Sequence, residues 1–208
     1  MALSMLGSGP GATAPQPEPS ALLARVQERY DKIQTLQARF EQRTRVASLG
    51  RDEISTGRVW VSKPGRMRWQ YESPEASVLL VDGESVRLWV PTEKRLQVAP
   101  IDARARAPTA LGFLLGSERL DHSFRVSRIS APGAADLRLL LEPREEVGFE
   151  SLEIRLDAAT RVLKGSVLKD LFGNRTELCF SEVVENEPLP EDTFELEVPK
   201  DAEVIDLR

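Results

Sequence analysis

The sequence is poor in the residues on which many enzymes and disulfide-bonded proteins depend. Among its 208 residues there is one histidine, His122, and one cysteine, Cys179. A single cysteine excludes an internal disulfide, and one residue of each type cannot supply the spaced ligands of a zinc site. Glycine-rich phosphate loops between a predicted strand and a helix are also missing. We therefore expect neither a metal nor a cofactor.

Long apolar runs and basic clusters are absent as well. The longest apolar runs, residues 78–81 and 111–115, are far shorter than the roughly 20 residues of a membrane-spanning helix. The net charge is -5, and lysines and arginines do not gather in large groups, so no nucleic-acid surface is expected. A hydrophobic share of 41% is that of an ordinary globular protein.

The start of the chain differs in composition from the rest. Residues 1–19 are rich in glycine, alanine, serine and proline, and we expect them to be a flexible leader or an expression remnant. No intact export signal is visible there, because the short apolar start lacks a basic region before it. Residues 20–208 are predicted to form one domain.

An amphipathic helix is predicted after the leader. Ser20 is the expected N-cap, and apolar residues follow at helical spacing. These are Leu22, Leu23, Val26, Tyr30 and Ile33. From Leu36 the period changes to two, so the helix should give way to a strand near Thr35.

Period-two alternation then predicts a mainly β (α+β) fold. Residues 36–99 read as an antiparallel meander of about six strands, with turns at Lys63-Pro64-Gly65 and Asp82-Gly83. About five more strands are predicted between residues 124 and 183. Residues 188–194 should hold a short helical turn, and residues 195–198 a possible final edge strand.

Two apolar features stand out within this pattern. In the hairpin of residues 57–71, Met67, Trp69 and Tyr71 share one face, while arginines occupy the other. Residues 108–116 predict a helix of roughly two turns. That helix is apolar almost all round, so it must be covered on more than one side or must itself cover something.

An enzymatic interpretation has little support. Asp121, His122 and Ser123 formally allow a nucleophilic arrangement, and a hydrolase acting on a lipid ester through His122 and Ser123 is one alternative. No nucleophile elbow or oxyanion glycine accompanies them, and a solvated loop histidine explains His122 more simply. We therefore predict that the protein is not an enzyme.

Several ordered motifs resemble the outer-membrane lipoprotein carrier protein family, the periplasmic chaperones known as LolA. The resemblance covers most of residues 20–206. Its most specific parts are residues 57–71 with Pro74, Val81-Asp82-Gly83 followed by Leu88-Trp89, Asp170-Leu171-Phe172-Gly173-Asn174, and Pro188-Leu189-Pro190 with Phe194.

The resemblance implies an incomplete antiparallel β-barrel of about eleven strands, covered by the N-terminal helix and a short central helical lid. Such a barrel would enclose a cavity for lipoprotein acyl chains. The cavity would be lined by Met67, Trp69, Tyr71, Leu79 and Leu88, and the underside of the lid would be formed by Leu111, Phe113, Leu114 and Leu115. A sealed core predicts the same pattern, so both interpretations stay open.

In this family an arginine before the turn proline closes the lid through hydrogen bonds to helix backbone. The present sequence has Lys63 there, and an ammonium group lacks the planar fork of a guanidinium. Lys63 is therefore the candidate latch, and a solvated turn lysine is the alternative. Arg66 and Arg68 could substitute, although parity places both on the face opposite Met67.

The resemblance also implies a biological role. The protein would be a monomeric periplasmic carrier that shuttles acylated lipoproteins from the inner to the outer membrane. Its partners would be an inner-membrane lipoprotein-releasing ABC transporter and, as one option for delivery, an outer-membrane lipoprotein receptor, with no nucleic acid involved. The alternative is a lipid- or lipoprotein-binding sensor, or a glycolipid carrier, of the same fold.

Overall fold

The computed structural model describes residues 18–101, 119–128, 130 and 134–207. The apolar helix predicted at residues 108–116, with the expected lid residues Leu111, Phe113, Leu114 and Leu115, lies outside these residues.

The N-terminal helix α1 spans Pro19–Asp31 and begins one residue before the predicted cap. The prediction that Ser20 is the N-cap is therefore wrong, since Glu18 occupies that position and makes no side-chain capping bond. Pro19 fits the first helical position because its missing N–H would have no partner there and its φ is already helical. Helix α2 is a single turn, Leu120–Ser123. Neither of these two helices is long and apolar enough to span a bilayer.

Twelve strands follow the helix in the described residues. The first six are β1 (Thr35–Val46), β2 (Arg51–Ser62), β3 (Arg66–Ser73), β4 (Ser77–Val81), β5 (Ser85–Val90) and β6 (Arg95–Pro100). The others are β7 (Phe124–Arg128), β8 (Asp136–Pro143), β9 (Phe149–Asp157), β10 (Leu163–Asp170), β11 (Arg175–Glu185) and β12 (Glu203–Asp206). Short 3-10 turns occupy Pro91–Glu93 and Glu191–Phe194.

All twelve strands belong to one open sheet, in the order β12-β6-β5-β4-β3-β2-β1-β11-β10-β9-β8-β7. Two consecutive antiparallel meanders, β1–β6 and β7–β11, are joined where β1 pairs with β11. The sheet does not close, because β12 and β7 form its two edges. The predicted mainly β fold, an incomplete antiparallel barrel with an N-terminal helix, is confirmed with one strand more than expected.

The final strand is not where the alternation placed it. Residues 195–198 form no strand, and the last strand, β12, lies further along and pairs in parallel with β6. The reason is that the backbone after the 3-10 turn is bound by an arginine of β3, whose Nη1 donates to the carbonyl oxygen of Glu195 at 2.7 Å. That carbonyl serves a side chain instead of a neighbouring strand.

The inner face of the sheet carries most of the core, and α1 packs on it over the second meander. Side chains on this face include Leu139, Leu152 and Ile154, all fully buried. Polar contacts help to fix helix α1 there. The Tyr30 hydroxyl donates to the Arg161 carbonyl at 3.1 Å, and the Gln27 amide oxygen accepts the N–H of the first residue of α2 at 3.0 Å.

The outer face has a smaller apolar cluster of its own. Leu80 lies opposite Arg68 in the ladder, so it points outward, yet it is fully buried, and Trp89 on β5 is nearly so. The segment between β11 and β12 crosses the outer face of β3 on its way to β6. Arg66 and Arg68 of β3 contact this segment, at the Phe194 ring and at the Glu195 carbonyl.

Candidate functional site

The strands β2 and β3 build the centre of the candidate site. Val59 pairs with Trp69 and Val61 with Met67, so four apolar side chains stand on the inner face of this hairpin. Trp69 is 2% exposed and Met67 is 9% exposed. The indole Nε1 of Trp69 lies 3.1 Å from the Met67 sulfur, which gives the buried N–H a weak acceptor.

An aromatic cluster extends from this hairpin across the neighbouring strands. The Phe40 ring stands edge-on to Trp69, with centroids 4.7 Å apart, and edge-on to Tyr71 at 5.1 Å. The Phe180 ring lies 6.3 Å from Trp69. Such edge-to-face pairs match the positive edge of one ring to the negative face of another. The cluster forms a continuous aromatic wall on β1, β3 and β11.

Gly57 makes room for this wall. A Cβ atom at Gly57 would stand 2.9 Å from Cζ of Phe40 and 2.0 Å from the carbonyl oxygen of Gln70. The first contact is with a ring of the aromatic wall, and the second is with the backbone of β3. A side chain at this position would therefore displace the Phe40 ring and the β3 backbone.

The five side chains expected to line a cavity share one face of three consecutive strands. Leu79 pairs with Trp69 across β3 and β4, and Leu88 pairs with Leu79 across β4 and β5. Tyr71, Leu79 and Leu88 are half-buried, whereas Met67 and Trp69 are buried. The structure therefore brings the predicted residues together, while their contact with a ligand stays a prediction.

Two wall residues, Phe40 and Phe180, were missing from the predicted set. Phe40 has the inward parity of Leu36 and faces Gly57 in the ladder, a signal that the sequence alternation already contained. Phe180 reaches the wall only because β11 pairs with β1 across the chain, which local patterning does not reveal.

The wall has a polar end. The Tyr71 hydroxyl donates to the Gln42 side-chain oxygen at 3.1 Å. Burial raises the pKa of Tyr71 above its ordinary value, so the phenol stays neutral. The Gln42 side-chain nitrogen donates in turn to the Thr44 hydroxyl at 3.3 Å, so the polar end continues along β1.

Lys63 does contact helix backbone, and the helix is α1. Its Nζ donates to the carbonyl oxygen of Tyr30 at 2.5 Å, next to the end of α1. A cation at a helix C-terminus interacts favourably with the helix dipole. Partial burial lowers the pKa of Lys63, and the nearby Asp31 carboxylate opposes this shift.

Arg66 and Arg68 lie on the outer face, as their parity predicts. The Arg66 guanidinium stacks over the Phe194 ring, 4.8 Å from its centroid. Arg68 donates to the carbonyl of Glu195, and burial lowers its pKa while Asp192 opposes the shift. Both arginines therefore hold the C-terminal segment. They lie on the face of the hairpin opposite to α1, the helix that Lys63 contacts.

A cavity of about 310 Å³ lies between the N-terminal end of α1 and the edge strand β7. This size is at the lower end for small-molecule sites. None of the five predicted lining residues borders it, and its walls are formed by Pro19, Ser20, Leu23, Phe124, Arg125, Val126 and Arg144.

The hydrolase alternative rests on His122 and Ser123. His122 is exposed on the single turn of α2, directly before Ser123. Across the part of the chain that the structure describes, no three histidine, cysteine or acidic side chains are grouped as metal ligands.

Comparison with known proteins places the chain in a family. The sequence profile of the family described as outer membrane lipoprotein carrier protein LolA matches residues 31–197. The chain belongs to this family. An outer-membrane lipoprotein carrier protein of Pseudomonas fluorescens is 30% identical over 183 residues, which are 88% of this chain and 87% of that protein.

Solved structures share the fold at low sequence identity. An uncharacterized conserved protein from Thermus thermophilus has a TM-score of 0.57 at 16% identity, covering 91% of this chain and 99% of that one. A chain of the Pseudomonas aeruginosa MucA/MucB complex has a TM-score of 0.50 at 18% identity, covering 86% and 61%. The LolA match itself runs from the last residue of α1 past β11 and the second 3-10 turn, so it contains the aromatic wall and Lys63.

Proposed function

We propose that this LolA-family chain is a periplasmic carrier that binds lipoprotein acyl chains and moves lipoproteins from the inner to the outer membrane. The observation that carries the proposal is the family match across β1–β11, the strands that build the inner face. In this proposal residues 20–208 form one carrier domain.

The physical requirement for such a carrier follows from the cost of exposing an acyl chain. Each buried methylene of a lipid anchor contributes about 0.8 kcal/mol, so one long chain is held in a bilayer by roughly 10 kcal/mol. A carrier must offer comparable apolar surface and still release its cargo. Adaptable apolar contacts suit this better than specific polar ones.

The aromatic wall has the chemistry for this task. Phe40, Trp69 and Tyr71 present large apolar surfaces, and Met67 adds a flexible thioether beside them. We assign acyl-chain contact to this wall together with Leu79 and Leu88. The alternative, a sealed core, would bind no lipid.

We assign the role of latch to Lys63. Its bond to the Tyr30 carbonyl ties the β2–β3 hairpin to the end of α1, the helix that packs on the inner face. The Arg29–Glu185 ion pair at 2.6 Å and the Tyr30 hydroxyl also hold the helix end, so breaking the Lys63 bond would loosen this end without releasing it. A single ammonium donor makes a weaker tie than a bidentate guanidinium, which favours reversible opening.

The partners follow from the energetics of release. An inner-membrane lipoprotein-releasing ABC transporter would load the carrier, because extraction of acyl chains from a bilayer needs an energy source. Delivery would use an outer-membrane lipoprotein receptor or direct transfer. We propose that the carrier works as a monomer.

The proposal is tested by lipid binding and by lipoprotein release. Purified protein should bind a fluorescent fatty acid and should remove a triacylated lipoprotein from inner-membrane spheroplasts. Failure of both would rule out a carrier.

A second function is a sensor or glycolipid carrier of the same fold. The MucA/MucB complex shows this fold in a protein that is bound to another protein. A sensor would bind lipid and regulate a partner without handing the lipid on. Complementation of a carrier-depleted cell separates the two, because a sensor would not restore growth.

A further inference from the structure

Exposed apolar side chains of the described residues gather at one end of the sheet. The antiparallel order places the β1–β2, β10–β11 and β8–β9 turns side by side there, opposite the Lys63 hairpin. They carry four of the seven large hydrophobic side chains that the structure shows as exposed. The four, called the apolar turn end below, are Leu49 (58% exposed), Val147 (41%), Leu171 (65%) and Phe172 (86%).

Hydrogen bonds hold two of these turns in fixed positions. The Ala47 N–H donates to the Asn174 side-chain oxygen at 2.9 Å, which joins the β1–β2 turn to the β10–β11 turn. The Asp170 carboxylate accepts the N–H groups of Phe172 at 2.8 Å and of Asn174 at 2.9 Å. The backbone that bears Phe172 is therefore braced, and the ring projects from it into solvent.

The charges around the apolar turn end leave a small negative excess and no large cluster of one sign. Arg51 pairs with Glu53 at 3.0 Å and Arg175 with Glu177 at 2.8 Å. The β8–β9 turn has Arg144 followed by two glutamates. A surface of this kind has no strong field of one sign, so apolar contact must dominate what binds it.

A lipid interface fits these observations better than a protein does. A stable protein partner needs roughly 800 Å² of continuous surface on each side. Four side chains separated by polar turn residues do not form such a face. A bilayer accepts each apolar side chain separately among its acyl chains, while neighbouring arginines and amides remain among the headgroups.

We propose that the apolar turn end docks on the surface of phospholipid bilayers, with Phe172 and Leu171 inserted most deeply. This docking does not depend on the proposed carrier function. The surface is formed by turns, whereas the aromatic wall lies on the inner face of the strands.

The test measures binding of the purified chain to vesicles of phosphatidylethanolamine and phosphatidylglycerol by flotation. The double variant Leu171→Ser, Phe172→Ser should bind at least about tenfold more weakly, because two exposed apolar side chains are lost. Val204→Ser, Leu207→Ser is the matched control, since these residues are 59% and 61% exposed and lie at the edge strand β12, away from the apolar turn end. Its binding should equal that of the unmodified chain, and added salt should have little effect.

A second measurement covers the case in which the double variant folds poorly. In Phe172→Trp the new indole should be quenched by vesicles of brominated lipid, beyond any quenching in the unmodified chain. Absence of vesicle binding by the unmodified chain, equal binding by the double variant and its control, or binding lost in moderate salt would each overturn the proposal. The double variant should still bind fluorescent fatty acid, so failure of fatty-acid binding alone counts only against the carrier function.

Discussion

The side-chain nitrogen of Lys63 lies 2.5 Å from the carbonyl oxygen of Tyr30. The bond joins the turn between β2 and β3 to the end of the helix that packs on the inner face. Because Tyr30 also fixes the helix through its hydroxyl, the same residue is held at its backbone and at its side chain.

Removing the Lys63 ammonium should loosen the end of α1. Lys63→Met keeps most of the aliphatic side chain but loses the charged donor, so we expect a loss of about 1 kcal/mol in the free energy of unfolding. Hydrogen exchange at the last turn of α1 should become faster, while exchange in β9 and β10 stays unchanged. Lys63→Arg should restore protection, and unaltered exchange in Lys63→Met would show that the bond is not a tie.

A charge on the aromatic wall distinguishes a lipid site from a sealed core. Met67→Glu places an unpaired carboxylate among apolar side chains, and Met67→Leu is the control of similar size. We expect fluorescent fatty-acid binding to fall more than the stability measured by urea unfolding falls. Equal losses of binding and stability would indicate a core residue without contact to lipid.

Gly57 should tolerate no larger residue. Gly57→Ala brings a Cβ against the Gln70 carbonyl and Phe40, and we expect a loss of about 2 kcal/mol or more in the free energy of unfolding. Gly148→Ala is the control, because a Cβ there meets no atom within 4 Å. Chemical denaturation measures both, and equal stability of the two variants would contradict the packing described here.

The tyrosines provide a pH prediction, since the chain has only two. Burial raises the pKa of Tyr30 and of Tyr71 in the folded protein, whereas tyrosines of the unfolded chain ionise near pH 10. The unfolded state therefore loses phenolic protons first, so this contribution to stability is complete below pH 10 and is lost as the pH rises further.

Absorbance of tyrosinate measures this shift. At about pH 10.5 the folded protein should show little tyrosinate, while the protein in concentrated urea should show most of it. Tyr71→Phe should remove one of the two titrating groups from the unfolded chain. Full ionisation of the folded protein near pH 10 would mean that the phenols are solvated.

The sequence predicted the strands well because side-chain parity is a local property. Alternation located the β2–β3 hairpin, placed Met67 and Arg68 on opposite faces, and located the helix-to-strand change that the structure has at Thr35. These features need only neighbouring residues. Whether the wall binds lipid stays a prediction, since a lining and a core share one pattern.

Features that depend on distant pairing were missed. Phe180 joins the wall through the β1–β11 ladder, and Leu80 is fully buried although its parity places it on the outer face. The Ser20 cap was wrong because Pro19 favoured an earlier start. In each case the deciding contact or competing residue was not visible in the alternation itself.

The parallel pairing of β12 with β6 also protects the sheet from other molecules. Without it, the full length of β6 would present unpaired backbone groups, the usual template for strand addition by a second chain. The strand that covers this edge is only four residues long, and it carries Glu203 and Asp206. A short, negatively charged border is a poor partner for another strand, so strand addition at this edge of the open sheet is disfavoured.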